Sequence, residues 1–133
     1  MSEPNQENKA RLELNIGHIS MWLNRLCAVT ESINRNNGFD TVKWSDWGGG
    51  DPNTDKLLAK IALMHEELSE AVTEVRKGTR EACLEELADC VIRCMDTAQG
   101  LHAGVALEHS FGEILVRKLI KNCDRGYKHG KRC

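Results

Sequence analysis

HEELSEAVTEVRKGTREACLEELAD, residues 65–89, decides how the rest of the chain is read. Apolar residues recur on both sides of Gly78 at three- and four-residue spacing, the signature of helices buried along one side. Upstream the stripe is Leu57, Leu58, Ile61, Met64, Leu68, Ala71, Val72 and Val75. Downstream it is Leu84, Leu87, Ala88, Val91, Met95 and Ala98. Gly78 is a natural helix stop, and so short a turn leaves the two helices antiparallel neighbours. The spacing predicts one helix over about 54–77 and the next from near Thr79 to Gly100.

Further out, Leu12, Ile16, Ile19, Leu23, Leu26 and Val29 predict a first helix over about 10–35, ended at Gly38 in NRNNGFD. Residues 36–53, which include TVKWSDWGGGDPN, carry the Gly, Asn and Asp of a loop. After LHAG, residues 101–104, a fourth helix is expected over about 105–124, with Leu107, Phe111, Leu115 and Leu119 inward. Residues 1–9 are polar and expected to be disordered, leaving 10–133 as a single domain. The fold class is therefore all-α, an antiparallel bundle of about four helices. Cys83, Cys90 and Cys94 flank the third helix's stripe and widen the surface it can bury, which predicts an oligomer.

Composition narrows the function. With 18 Lys and Arg against 20 Asp and Glu, nothing draws the chain to nucleic-acid polymers. No apolar run approaches the ~18 residues of a membrane span. MSEPNQENKARLELN lacks the apolar centre of a signal peptide, so a cytoplasmic location is expected. The six cysteines then read as reduced thiols. Cys90 and Cys94 lie one turn apart, but no second pair completes a zinc site.

Acids stand out against this background. Glu67, Glu70 and Glu74 fall on one side of their helix, and Glu86 and Asp89 share a side of the next. Like charges a turn apart destabilise a helix by a few tenths of a kcal/mol per pair. Glu67, Glu70, Glu86 and Asp89 could converge on a hard cation, Mg²⁺ or Mn²⁺. The same spacing also describes two ordinary solvated acidic faces. A di-iron centre would instead use Glu-x-x-His. Near the end, Lys118, Asn122 and Arg125 share one flank, followed by Lys128, His129, Lys131 and Arg132. Such cations suit phosphate oxygens, or simply complement a helix C-terminus. Trp22, Trp44 and Trp47 are candidates for stacking on a base, with His18 or Asn24 nearby, or are ordinary packing aromatics.

HEELSEA followed by EELADCVIR resembles the MazG-like all-α nucleoside triphosphate pyrophosphohydrolases, whose superfamily also holds dUTP and phosphoribosyl-ATP pyrophosphohydrolases. The family motif, Glu-Glu-x-x-Glu then Glu-x-x-Asp, is matched by Glu66, Glu67 and Glu70, then Glu86 and Asp89. KLIKNCDRGYKHGK resembles the Lys-x-x-x-Asn-x-x-Arg-Pro-x-x-His-Gly-Lys close of small phage- or bacterial-type members, with Gly126 in place of the proline. The resemblance spans about residues 56–131. It implies Mg²⁺-dependent cleavage of an NTP or dNTP between the α and β phosphates, giving NMP and pyrophosphate. It further implies Glu67, Glu70, Glu86 and Asp89 as metal ligands, with Glu66 beside them orienting water or a ligand. Lys118, Asn122 and Arg125 would bind phosphates or close the site. Family members are usually homodimers or homotetramers. The competing expectation from another class is a non-catalytic helical interaction module.

Overall fold

A computed structural model describes residues 3–43, 54–103 and 107–125. The expectations for Trp44, Trp47, Gly126 and the cations at 128–132 lie outside the described residues. Four α-helices account for most of what is described: α1 (Glu3–Asn36), α2 (Thr54–Lys77), α3 (Arg80–His102) and α4 (Phe111–Cys123). No described residue lies in a strand. No described helix is long and apolar enough to cross a membrane. The described cysteines, Cys27, Cys83, Cys90, Cys94 and Cys123, are all free thiols.

Two helix starts differ from expectation. α1 begins at Glu3, not near residue 10, so most of the stretch expected to be disordered is helical. Pro4 falls in the first turn, where its missing N–H costs nothing. Glu7 and Arg11 then pair one turn apart at 2.6 Å, and Lys9 Nζ donates to both carboxylate oxygens of Asp124 at 2.9 Å. α4 begins at Phe111, not 105, because Ser110 caps it: the Ser110 Oγ accepts from the Glu113 N–H at 3.2 Å. Leu107, expected inward on α4, lies before it and is exposed.

The chain divides into two compact units, residues 1–25 with 107–133, and residues 26–106. In the first unit, the α1 residues and α4 run antiparallel. Lys9 meets Asp124 at one end, and Asn24 meets Ser110 and Gly112 at the other. Gly112 permits that approach: a Cβ there would stand 2.5 Å from the Ser20 carbonyl oxygen. Val116, completely buried, is the centre of α4's packed side.

The second unit is built on the α2–α3 hairpin. Gly78, at φ +77°, closes α2: its N–H donates to the Val75 carbonyl, and the Thr79 N–H donates to that of Glu74, both at 3.1 Å. The same arrangement at Gly38, φ +83°, ends α1. Gly100 was expected to stop α3, but the helix continues to His102. The glycine serves close approach instead, since any Cβ there would overlap the Val42 carbonyl.

The hairpin also corrects which side of each stripe is covered. Leu57 and Ala71 are buried and Met64 is half-buried, but Leu58, Ile61, Leu68, Val72 and Val75 are exposed. On α3, Leu84, Leu87 and Val91 are exposed, Leu84 at 66 %. Only one flank of each stripe fits between two helices. Glu67 is turned toward the partner helix and buried at 6 % exposure, while Glu70 and Asp89 stay exposed.

Candidate metal centre

Antiparallel pairing brings Glu86 of α3 opposite Glu67 and Glu70, which stand one turn apart on α2. One carboxylate oxygen from each of the three lies within 4.8 Å of the others. Glu67 is buried, Glu86 half-buried and Glu70 exposed. Loss of water around Glu86 pushes its carboxyl above the usual range, and Glu70 adds to this through a hydrogen bond and its charge; Glu67 and Asp89 also contribute charge. Three carboxylates so close repel one another unless a cation or proton sits among them. An all-oxygen donor set suits a hard divalent ion, so the residues present fit Mg²⁺ or Mn²⁺.

Asp89 does not join those three at that distance. It shares with Glu67 the lining of a cavity of about 240 Å³, together with Asn34, Phe39, Lys60, Ile92, Arg93 and Asp96. Arg93 donates from Nε to Glu67 Oε1 at 2.5 Å and supplies the positive charge nearest that buried acid. Deeper along both helices, Lys60 Nζ stands 3.8 Å from Asp96 Oδ2. Asp96 is only 3 % exposed, and its Oδ1 has no hydrogen-bond partner among the described residues. Burial raises its carboxyl above the ordinary value, while the Asn34 amide, Lys60 and Arg93 pull it back.

Arg93, Lys60 and Asp96 were not singled out from sequence. Their signal was a repeat of seven: Arg93 follows Glu86 by seven, Asp96 follows Asp89 by seven, and Lys60 precedes Glu67 by seven. Seven residues are close to two helical turns, which returns each to the acids' side.

Other expected residues have separate surroundings. Glu66 and His65 are exposed on α2, outside the trio of carboxylates. Glu74 accepts a hydrogen bond from Lys77 at 2.8 Å. Lys118, Asn122 and Arg125 belong to the other compact unit, where all three are exposed. Asn122 lines a groove there with Asn5, Asn8, Leu12, Leu119 and Cys123. Trp22 is exposed in that unit too, with the Arg25 guanidinium 5.2 Å from its ring centre. Asn24, a candidate base contact, is already committed: its amide donates to Ser110 Oγ and accepts from the Gly112 N–H, both at 2.9 Å. Set against protein-family models, curated proteins and solved structures, the chain matches none of them.

Proposed function

We propose that the chain is a MazG-like pyrophosphohydrolase that cleaves a nucleoside or deoxynucleoside triphosphate between its α and β phosphates, releasing NMP and pyrophosphate and so clearing the nucleotide pool. The observation that carries this reading is the gathering of Glu67, Glu70 and Glu86 within 4.8 Å, with Glu67 shared between that trio and a cavity containing Asp89, Lys60 and Arg93. Carboxylates to hold a hard ion, beside a guanidinium to hold phosphate oxygens, are the parts that polyphosphate chemistry requires.

Glu67, Glu70, Glu86 and Asp89 would hold Mg²⁺, or Mn²⁺ in its place. When bound, the ion would neutralise charge on the phosphate oxygens as the bond to pyrophosphate breaks. Glu66, exposed beside Glu67, would orient the attacking water. Arg93 would meet phosphate oxygens in the cavity. The exposed flanks of the α2 and α3 stripes support assembly of the chain with itself as a dimer or tetramer.

Those same exposed flanks also favour a second reading, a non-catalytic helical module that binds another protein. One assay separates the two: incubation with a panel of NTPs and dNTPs, dUTP and phosphoribosyl-ATP included, followed by measurement of pyrophosphate. The pyrophosphohydrolase reading expects release with Mg²⁺ that stops with chelator and in Asp89→Asn. Absence of release from every substrate would overturn it.

A further inference from the structure

The cavity beside the carboxylates ends in a pair of groups that the metal reading leaves unused. Lys60 and Asp96 stand side by side in its lining, Nζ 3.8 Å from Oδ2, one a donor and the other an acceptor. Asp96 is almost fully enclosed, with one oxygen lacking any hydrogen bond among the described residues. A buried polar atom of this kind needs an explanation, because leaving it unpaired opposes folding. A ligand seated in the cavity that draws this carboxylate toward it would give both oxygens partners.

We propose that this end of the cavity recognises a guanine base, with the Asp96 carboxylate accepting from the ring N1–H and the 2-amino group and the Lys60 ammonium donating to O6. This rests on the proposed nucleotide chemistry only for the position of the phosphates. Among the common bases, guanine alone presents one acceptor followed by two adjacent donors on its pairing edge, the complement of an ammonium beside a carboxylate. Adenine and cytosine offer an amino donor next to an unprotonated ring nitrogen, which would face the carboxylate's lone pairs. Thymine offers a single donor between two acceptors.

Spacing agrees with this assignment. Asp89 and Asp96 are seven residues apart on α3, as are Glu67 and Lys60 on α2, so the two ends of the cavity are separated by ~10 Å along each helix. That is about the reach from a nucleotide's α-phosphate to the far edge of its base. Phe39 lines the same cavity and is 64 % exposed, which leaves a ring face open for stacking. Asn34, on the same cavity wall, bonds the Asp96 carboxylate and helps to keep it charged.

The test separates base recognition from catalysis by using uncharged nucleosides and no metal. Ligand-observed NMR titrations of the full-length chain with 2′-deoxyguanosine, 2′-deoxyinosine, 2′-deoxyadenosine, 2′-deoxycytidine and thymidine measure the base edge alone. Deoxyguanosine is expected to bind at least about tenfold more tightly than deoxyinosine, which lacks only the 2-amino group. Asp96→Asn, with its helical content checked, should abolish that difference. Lys60→Met should weaken deoxyguanosine and deoxyinosine alike, since both carry O6. Equal affinity for the two nucleosides, or a preference that survives Asp96→Asn, would overturn the inference. Pyrophosphate release measured in parallel keeps the two ideas apart. Guanine selectivity without hydrolysis would sink the enzymatic reading and keep the pocket. Equal hydrolysis of all four dNTPs, with no nucleoside preference, would do the reverse.

Discussion

Asn24 and Asp96 each place a polar side chain against a packed neighbouring element, and they are handled in opposite ways. Around Asn24 both ends of the amide are used: it donates to Ser110 Oγ and accepts from the Gly112 N–H, while Ser110 Oγ in turn caps α4 at Glu113. Around Asp96, Oδ1 and the neighbouring Thr97 Oγ1 lack partners among the described residues, and the carboxylates of Glu67, Glu70 and Glu86 crowd the same hairpin. A closed set of hydrogen bonds fixes one helix against another. An open set beside a cavity does little for the fold and leaves its bonding capacity to a ligand. The contrast sets a unit whose polar contacts are paired beside a hairpin that keeps unpaired polar groups, as the proposed binding role would need.

The strongest challenge to that contrast is Glu70→Gln. It is expected to lower turnover by roughly 1000-fold or more, about 4 kcal/mol of transition-state stabilisation, in a pyrophosphate assay. Its melting temperature without Mg²⁺ should hold or rise, because repulsion with Glu67 and Glu86 is relieved. Wild-type protein should gain about 2.7 kcal/mol at Mg²⁺ one hundred times its Kd, and the variant should not. Wild-type turnover in the variant would erase the distinction between the two regions.

Asn24→Ala probes the other side. Losing both bonds and stranding the Gly112 N–H should cost about 2 kcal/mol, read as a lower urea midpoint. Turnover per folded molecule and the response to Mg²⁺ should stay as they were. A variant as stable as wild type would show that the closed set of bonds is not what holds α4.

A smaller effect concerns pH. Glu86 has a carboxyl raised above its ordinary 4.5, chiefly by desolvation and then by Glu70. The native state therefore holds a proton that the unfolded chain has already released. The associated stability is fully present below the ordinary carboxylate range and is lost as pH rises through the raised value. Urea midpoints taken without metal from about pH 4 to about pH 7 should fall from this source, and Glu86→Gln should flatten the curve. A fall of equal size in the variant would place its origin elsewhere. The smallest expected change is in Glu74→Gln: that half-buried acid pairs with Lys77 and lies outside the carboxylate trio, so turnover should stay within about twofold of wild type.

Much of this was legible in the sequence. Thr54 and Gly78 bracket α2 at the predicted residues, and the three- and four-residue steps were enough to group Glu67 with Glu70 and to point to Glu86. What escaped depended on partners distant in the chain. An apolar stripe does not say which of its flanks the neighbour covers, so Val75 and Leu84 were read as inward. Glycine serves both a left-handed turn and a close contact. Gly100 was read as the first because Val42, which it touches, lies 58 positions away. The apolar run before Ser110 concealed the cap that starts α4. Arg93, Lys60 and Asp96 acquire meaning only once the register of α2 on α3 is known.

The bond from Arg93 to Glu67 has a consequence for any divalent ion that enters this hairpin. Such an ion competes with a cation tethered to the neighbouring helix, whose local concentration no dilution or dialysis can lower. Apparent affinity for such an ion would accordingly be weaker than the carboxylates alone would give. Displacing the guanidinium would also free its donors at the cavity wall, so that arrival of a metal and readiness to hold an anion would become one event.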